Sequence, residues 1–182
     1  ALNLAIRLGI WAAKSKRFSA IIKPILDFMQ TMPSLAYLVP VIVLFGIGQV
    51  PGAIVTIIFA LPPGVRFTEL GIRGVDTETV EAGAAFGASP RHILWRIQMP
   101  LAMPTVMAGV NQVIMLALSM VVLSGMVGAG GLGGDVVAAL SQVDIGLGME
   151  AGLAVVIVAV YLDRITHGLA NRTPRARAQR AS

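Results

Sequence analysis

Residues 101–127 read LAMPTVMAGVNQVIMLALSMVVLSGMV, a run of 27 residues that holds no Asp, Glu, Lys or Arg. About 20 apolar residues in a helix cross the hydrocarbon core of a bilayer, so this run is long enough to span a membrane. Other mainly apolar runs occupy 1–13, 34–47, 52–70 and 145–162. The pattern predicts an all-α membrane protein with about five transmembrane helices, of which the first is cut short.

Composition favours the bilayer as the solvent of this chain. Of its 182 residues, 56% are hydrophobic and 13% are charged, and its mean hydropathy is +0.82. So few charges would not cover the surface of a soluble domain. The absence of cysteine excludes a disulfide framework and a thiolate metal site. His92 and His167 have no second ligand at metal-binding spacing in the sequence, so we expect no metal site.

The basic residues lie between the apolar runs. They cluster after the first run (Lys14, Lys16, Arg17, Lys23), in the central polar segment (Arg73, Arg91, Arg96) and in the tail 171–182 (Arg172, Arg175, Arg177, Arg180). Positive charge between spans marks the cytoplasmic side. We therefore expect the N-terminus of this chain outside and segment 71–100 and the basic tail in the cytoplasm. The basic residues form no continuous face, so the expected partner is the lipid bilayer and not nucleic acid.

The central polar segment carries its own helix boundaries. Residues 76–100 read DTETVEAGAAFGASPRHILWRIQMP. Asp76 or Thr77 is suited to cap a first helix, and Gly87 is suited to end it. Ser89 followed by Pro90 is a second helix start. The segment therefore predicts a folded helix-turn-helix.

The first helix of this segment has the composition of a docking element. Small residues, among them Ala82, Gly83 and Gly87, would let another protein's backbone approach, and Phe86 offers one large apolar side chain. Glu81 has two interpretations that the residues alone leave even: it pairs with a cation on a partner, or it stabilises the start of its own helix. We expect Pro100 to end the second helix where the chain re-enters the membrane.

The sequence Glu81-Ala82-Gly83, then Gly87, then Ile97-Gln98-Met99-Pro100 resembles in spacing the EAA loop of ABC importer permeases. Gly83 stands where alanine is usual, and Met99 where leucine is usual. The resemblance implies that 74–100 is a cytoplasmic coupling loop seated in a separate ATPase subunit. Together, this resemblance and the composition of the segment assign ATPase coupling to Glu81, Ala82, Gly83, Phe86, Gly87, Ser89, Pro90, Ile97 and Pro100.

Segments 27–33, 44–48, 58–63 and 111–122 resemble permeases of the glycine betaine/proline subfamily. This implies a type I importer (MetI-like) permease core over 1–170 in a bacterial cytoplasmic (inner) membrane. It also implies a soluble extracytoplasmic substrate-binding protein and a second copy of the permease as partners. The expected cargo is glycine betaine, proline or a related osmoprotectant, with importers of methionine, choline, phosphonate or sulfonate as alternatives.

The chain itself is expected to be a transport subunit and not an enzyme. It lacks a phosphate-binding lysine motif, so ATP and Mg²⁺ would be used by the partner subunit, and no cofactor or catalytic residue is expected here. A secondary transporter would predict intramembrane carboxylates and an inverted repeat, and an intramembrane enzyme would predict a paired nucleophile and base. From the sequence we expect no intramembrane carboxylate, no inverted repeat and no paired nucleophile and base.

Polar residues in the run 101–127 are candidates for the translocation pathway. They are Asn111, Gln112 and Ser119. The alternative, commoner for such side chains, is hydrogen bonding between helices. The glycine-rich segment 128–134 follows a helix and not a strand, so it predicts a flexible turn at the outer end and not a phosphate site.

Overall fold

The computed structural model describes residues 1–170, and the side chains of residues 1–168. Every regular element in this range is helical, as predicted. The helices are α1 (Leu2–Lys14), α2 (Lys16–Thr31), α3 (Ser34–Phe45), α4 (Gln49–Arg73), α5 (Thr77–Ala85), α6 (Pro90–His92), α7 (Met99–Met126), α8 (Gly131–Gln142) and α9 (Ile145–Ala170). A π-helical turn, Ile93–Gln98, joins α6 to α7. The predicted basic tail 171–182 lies outside the described residues.

Three helical stretches in the described range are long and apolar enough to cross a bilayer singly: Gln49–Arg73, Pro90–Met126 and Ile145–Gly168. α2 and α3 together reach that standard, but they are bent by 94°. The bend falls at Met32, which is extended because the following Pro33 disfavours a helical conformation in the residue before it. α1 has 13 residues. Three of the five predicted spans are thus complete helices, and the run 34–47 belongs to a bent pair.

α4 packs against α1, α2, α3 and α7. Its closest approaches are made at glycines. A Cβ at Gly9 of α1 would lie 2.5 Å from Cβ of Thr68, and a Cβ at Gly109 of α7 would lie 2.5 Å from Cβ of Phe67. Helices in lipid gain little from apolar burial against one another, so close backbone packing at small residues is what holds them.

Two hydrogen bonds to backbone carbonyls define the ends of the bundle. The Arg73 guanidinium donates to the Ala12 carbonyl at 2.8 Å, which places the ends of α1 and α4 together. We call this the loop end, because segment 74–89 begins there. The Gly48 N–H donates to the Val127 carbonyl at 2.9 Å, which places the start of α4 beside the end of α7 at the far end. α1 and α4 therefore run in the same direction and α7 runs opposite to them.

The turn in the glycine-rich segment is shorter than the sequence predicts. Gly128, Gly130 and Gly131 have φ between +63° and +75°, but α8 begins at Gly131. A Cβ at Gly133 would lie only 2.0 Å from the Val121 carbonyl oxygen of α7. The prediction of a flexible turn through residue 134 is therefore wrong after Gly131. Gly133 allows α8 to pack on the backbone of α7.

Candidate functional site

The segment between α4 and α7 begins with a capped helix. The Asp76 carboxylate accepts a hydrogen bond from the Glu78 N–H at 3.2 Å, which satisfies one free donor at the start of α5. Of the two predicted caps, Asp76 and Thr77, the structure therefore selects Asp76. Glu78 lies in the first turn, where a negative charge complements the helix dipole.

α5 ends in the conformation that its glycine predicts. Gly87 has φ +78°, its N–H donates to the Ala84 carbonyl at 2.9 Å, and the Ala88 N–H donates to the Gly83 carbonyl at 3.1 Å. These two bonds form a Schellman motif, which requires a left-handed residue at the position of Gly87. A Cβ at Gly87 would meet nothing within 4 Å, so glycine is favoured there by its backbone conformation and not by space.

The second helix starts as predicted but does not stop as predicted. Ser89 Oγ accepts from the His92 N–H at 3.3 Å, and Pro90 occupies the first turn. The helix then continues past Pro100, and Pro90–Met126 is one helical stretch of 37 residues. The prediction that Pro100 ends this helix is wrong.

The π-helical turn explains how the helix accommodates this proline. The Met99 N–H donates to the Leu94 carbonyl, five residues earlier, so the turn before Pro100 is wider than an α-helical turn. Proline lacks a donor and crowds the carbonyl four residues before it in a regular helix. A wider turn relieves that conflict without a break, and π-helical turns are frequent at functional positions.

The two helices of this element are held together at a glycine. A Cβ at Gly83 would lie 2.6 Å from Cδ1 of Ile97, and both residues are half-buried. Gly83 was predicted to give room to another protein's backbone, but the room it leaves is taken by Ile97 of the same chain. Ile93 and Leu94 are buried beneath this contact.

The outer surface of the element is open. Phe86 is 91% exposed, the highest value among the large apolar side chains of the described residues. The other predicted coupling residues that are exposed are Glu81, Ala82, Gly87, Ser89, Pro90 and Pro100. We call the surface around Phe86 the docking surface, defined as the exposed residues 81–90. Glu81 makes no ion pair within the described part of the chain, which leaves its carboxylate available to a partner.

Two of the three predicted pathway residues lie together on α7, and the third, Ser119, lies apart from them. Asn111 and Gln112 line a cavity of about 200 Å³ between α7 and α9, together with Thr166. The Thr166 hydroxyl lies 3.2 Å from Asn111 Oδ1, but its single hydrogen also has the Leu162 and Asp163 carbonyls within reach. The geometry thus includes the interhelical hydrogen bond that was the alternative interpretation of Asn111. Ser119 donates to the Met115 carbonyl of its own helix.

Residues 5–173 match the family described as the binding-protein-dependent transport system inner membrane component. The match covers most of the chain, including the docking surface and the helices that carry it. The chain belongs to this family. The predicted resemblance is therefore confirmed, and the predicted inner-membrane location agrees with the family's description.

Curated relatives of this inner membrane component are transport permeases. The chain is 53% identical, over 97% of its length, to the glycine betaine/proline betaine transport system permease protein of Escherichia coli K12, and covers 50% of that protein. It is 56% identical, over 91% of its length, to the glycine betaine/carnitine transport permease protein of Listeria monocytogenes, and covers 59% of it. The chain thus spans about half to three fifths of the length of these relatives.

A solved structure shows the same fold. The methionine ABC transporter MetNI, in an inward-facing conformation, contains a chain that matches with a TM-score of 0.70 and 23% identity. The match covers 94% of this chain and 85% of that one. The predicted MetI-like permease core is confirmed as a fold.

One cluster in this inner membrane component was missed from the sequence. The Glu69 side chain is 6% exposed, and its Oε1 accepts from the Ser19 hydroxyl at 2.6 Å. The same oxygen lies 3.2 Å from Nε of Arg73 and 3.4 Å from Nζ of Lys23. We call these four residues the Glu69 cluster. It joins α2 to α4 at the loop end.

The Glu69 cluster corrects one inference from the sequence. Glu69 is a carboxylate inside the predicted span 52–70, where the sequence was interpreted as having none. Its charge in an apolar run, followed by a basic residue four positions later, was the available signal. The carboxylate is compensated by two cations, Lys23 and Arg73. A second pair, Arg66 with Asp27, joins the same two helices at the surface.

Proposed function

We propose that this chain is the transmembrane permease subunit of an ATP-driven importer for glycine betaine, proline or related osmoprotectants. Membership of the family and the glycine betaine relatives support the substrate class. Relatives described for glycine betaine, proline betaine and carnitine share 53% and 56% identity with the chain. These three compounds are zwitterions with a quaternary ammonium group and a carboxylate. A more distant relative, 44% identical, is a trimethylamine N-oxide permease from Pelagibacter ubique, whose cargo is also a methylated amine.

The observation that carries the coupling role is the exposed Phe86 on a rigid helix-turn-helix. An aromatic side chain that is 91% exposed has no role in its own fold, whereas a rigid apolar knob is a typical anchor for a partner's pocket. The bonds around Gly87 fix its position. In our proposal this knob enters a separate ATPase subunit, which supplies ATP, Mg²⁺ and hydrolysis. This chain binds no cofactor and performs no covalent chemistry.

The proposed orientation follows from the charges at the two ends. Lys14 and Lys16 lie at the end of α1 that meets Arg73, so the basic residues gather at the loop end. Asp135 and Asp144 belong to the segment after α7, toward the far end. Positive charge marks the cytoplasmic side. The loop and the tail are therefore assigned to the cytoplasm, and the N-terminus of this chain to the outside.

The other proposed partners are an extracytoplasmic binding protein and a second copy of the permease. The described residues offer one close aromatic pair, Trp11 stacked on Phe18 with ring centroids 4.3 Å apart. Because the two rings cover each other, they do not form a cage for a quaternary ammonium ion. We therefore assign most of the substrate selectivity to the binding protein. Two permease copies over two ATPases would alternate between outward-open and inward-open states.

A pair of glycine variants tests the coupling role. Gly87 has φ +78° and Gly46, at the far end, has φ +77°; neither has an atom within 4 Å of an added Cβ. Gly87→Val and Gly46→Val therefore both force a branched residue to a positive φ, at a cost of about 1–3 kcal/mol, at opposite ends; the ψ of −177° at Gly46 lies in a region almost exclusive to glycine, so the control is the more demanding of the two positions. We expect only Gly87→Val to reduce co-purification of the ATPase and ATP-driven uptake of glycine betaine. Equal losses in both variants, or none in Gly87→Val, would exclude the role.

A charge reversal tests Glu81 separately. Glu81→Lys reverses an exposed charge that has no partner among the described residues, so folding should be unaffected. If the carboxylate pairs with a cation of the ATPase, binding weakens and uptake falls. Unchanged association would assign Glu81 to its own helix. Competition of labelled glycine betaine uptake by proline, choline, carnitine and methionine then identifies the cargo.

A further inference from the structure

The Glu69 cluster lies at the point where α4 enters the loop. Arg73 is the last residue of α4, and Asp76 caps α5 three residues later. Arg73 is bonded both to Glu69 and to the Ala12 carbonyl at the end of α1. The buried Glu69 carboxylate and the Arg73 guanidinium therefore connect the start of the loop to α1 and α2.

α2 is also held by apolar contacts, and those that it makes with α4 lie farther from the loop. Ile22 and Leu26 pack with Leu61 and Val65, one to two turns before Glu69 on α4. Apolar contacts are non-directional, and packed helices can slide past each other by small shear motions. Hydrogen bonds to one carboxylate oxygen fix both distance and direction. The cluster is thus the part of the α2–α4 contact that sets its register.

We infer that Glu69 is a positioning residue which makes α1, α2 and the end of α4 move with the coupling loop as one unit. This inference rests on the coupling role proposed for segment 74–100. A displacement of the loop by the ATPase passes to Arg73, from Arg73 to Glu69 and Ala12, and from Glu69 to Ser19 and Lys23. Loss of the carboxylate leaves two cations facing each other and frees α2 from the loop.

The charge balance of the cluster makes Glu69 the critical member. Lys23 and Arg73 contribute two positive charges and Glu69 one negative charge, so the carboxylate is shared between both cations. Glu69→Gln keeps the size of the side chain and removes the charge. Lys23 and Arg73 are 51% and 35% exposed and stay solvated without the carboxylate, so the effect comes from the buried Glu69 oxygen, which holds three partners at once, and it should exceed that of a single exposed pair.

The test compares two variants that affect the same two helices. Glu69→Gln breaks the buried cluster, whereas Asp27→Asn breaks the Arg66–Asp27 pair, whose side chains are 42% and 58% exposed. The complete complex of permease, ATPase and binding protein is placed in liposomes, and glycine betaine uptake is divided by ATP hydrolysed. We expect this ratio to fall by roughly 5-fold or more in Glu69→Gln, and to change by at most about 2-fold in Asp27→Asn.

A second readout separates positioning from simple stability. The chain has no cysteine, so spin labels can be placed at Ala20 on α2 and Thr79 on α5, both exposed. In the otherwise native permease the distance between them should be the same with and without ATP. In Glu69→Gln the distance should differ between the two states, because α2 no longer follows the loop. A purely structural role would lower the melting temperature and leave this distance independent of ATP.

Ser19→Ala keeps the inference testable if Glu69→Gln does not assemble. It removes the 2.6 Å hydrogen bond without changing any charge, and we expect a smaller fall in uptake per ATP together with a label distance that depends on ATP. Assembled variants with a native ratio and a constant label distance would overturn the inference. A native Gly87→Val complex would instead overturn the coupling role itself, so the two failures are distinguishable.

Discussion

Replacement of Phe86 by Ala is the most direct test of the docking surface. A buried Phe removes about 150 Å² or more from water, and at about 25 cal/mol per Å² the lower area corresponds to about 4 kcal/mol for full burial in a partner. The remaining methyl group and the cost of ordering the interface reduce this figure. We therefore expect a loss of about 2–3 kcal/mol of binding free energy, which is about 30- to 150-fold in Kd.

The same substitution should leave the fold of the permease unchanged. Phe86 is 91% exposed, so its side chain makes few contacts in its own chain. Ile47 is a matched control, since it is 79% exposed but lies at the far end of the bundle. The assay is titration of the purified ATPase subunit onto the permease in nanodiscs, with the melting temperature of each variant measured in parallel.

Two results would refute the docking role of Phe86. One is a Kd for Phe86→Ala within about 2-fold of the native value, since a buried anchor must cost more than that. The other is an equal loss in Ile47→Ala, which would show a general effect of removing apolar surface. A lower melting temperature in Phe86→Ala alone would also contradict the structure, because it would place the ring inside the fold.

Two further experiments test the packing of α8 and α9. Gly133→Ala should destabilise the protein by about 1–3 kcal/mol, because the added Cβ would lie 2.0 Å from the Val121 carbonyl oxygen. Gly134→Ala is the control, since its Cβ would have no atom within 4 Å. It should be neutral or stabilising by up to about 1 kcal/mol. Thermal unfolding in detergent measures both, and equal melting temperatures would contradict the close packing. A double-mutant cycle of Asn111→Ala and Thr166→Val should give a coupling of about 0.6 kcal/mol, as is typical between membrane helices. Strict additivity would mean that the Thr166 hydroxyl bonds only to its own helix.

The helix-turn-helix of residues 76–100 could be predicted from the sequence because its helix boundaries have local sequence signals. A cap at Asp76, a left-handed glycine at Gly87 and the Ser89-Pro90 start each satisfy backbone groups within a few residues of themselves. Their geometry depends on short-range hydrogen bonds, which recur wherever these residue types occur in that order. The structure contains all three.

Prolines and glycines at the membrane boundary were less informative. Pro100 favours a helix end in a soluble protein, but here the π-helical turn absorbs it and the helix continues. Gly133 reads as part of a flexible turn, but it serves close contact between helices. Each residue has two physical uses, a conformational use and a packing use, and only the positions of the neighbouring helices decide between them.

The Glu69 cluster could not be assembled from the sequence because its members are distant along the chain. Ser19 and Glu69 are 50 positions apart. The charge of Glu69 could be noticed in its apolar run, but the identity of its α2 partners depends on how α2 lies against α4. That arrangement follows from the buried contacts of Leu26 and Val65, which have no recognisable pattern of their own.

The packing of the two helices that flank the coupling loop, α4 and Pro90–Met126, explains why a displacement of Phe86 would reach the far end of the bundle. Ile72 and Val75, at the end of α4 and just after it, pack with Leu94 and Met99 of the stretch Pro90–Met126. The two sides of the loop therefore move together. The helical stretch Pro90–Met126 has no break, and its 37 residues at 1.5 Å each form a lever of about 55 Å. A tilt of 10° at the loop would displace the other end of such a lever by roughly 10 Å. α8 packs closely on that end at Gly133, so in the proposed coupling role the lever would carry α8 with it and the far end would open or close as the loop moves.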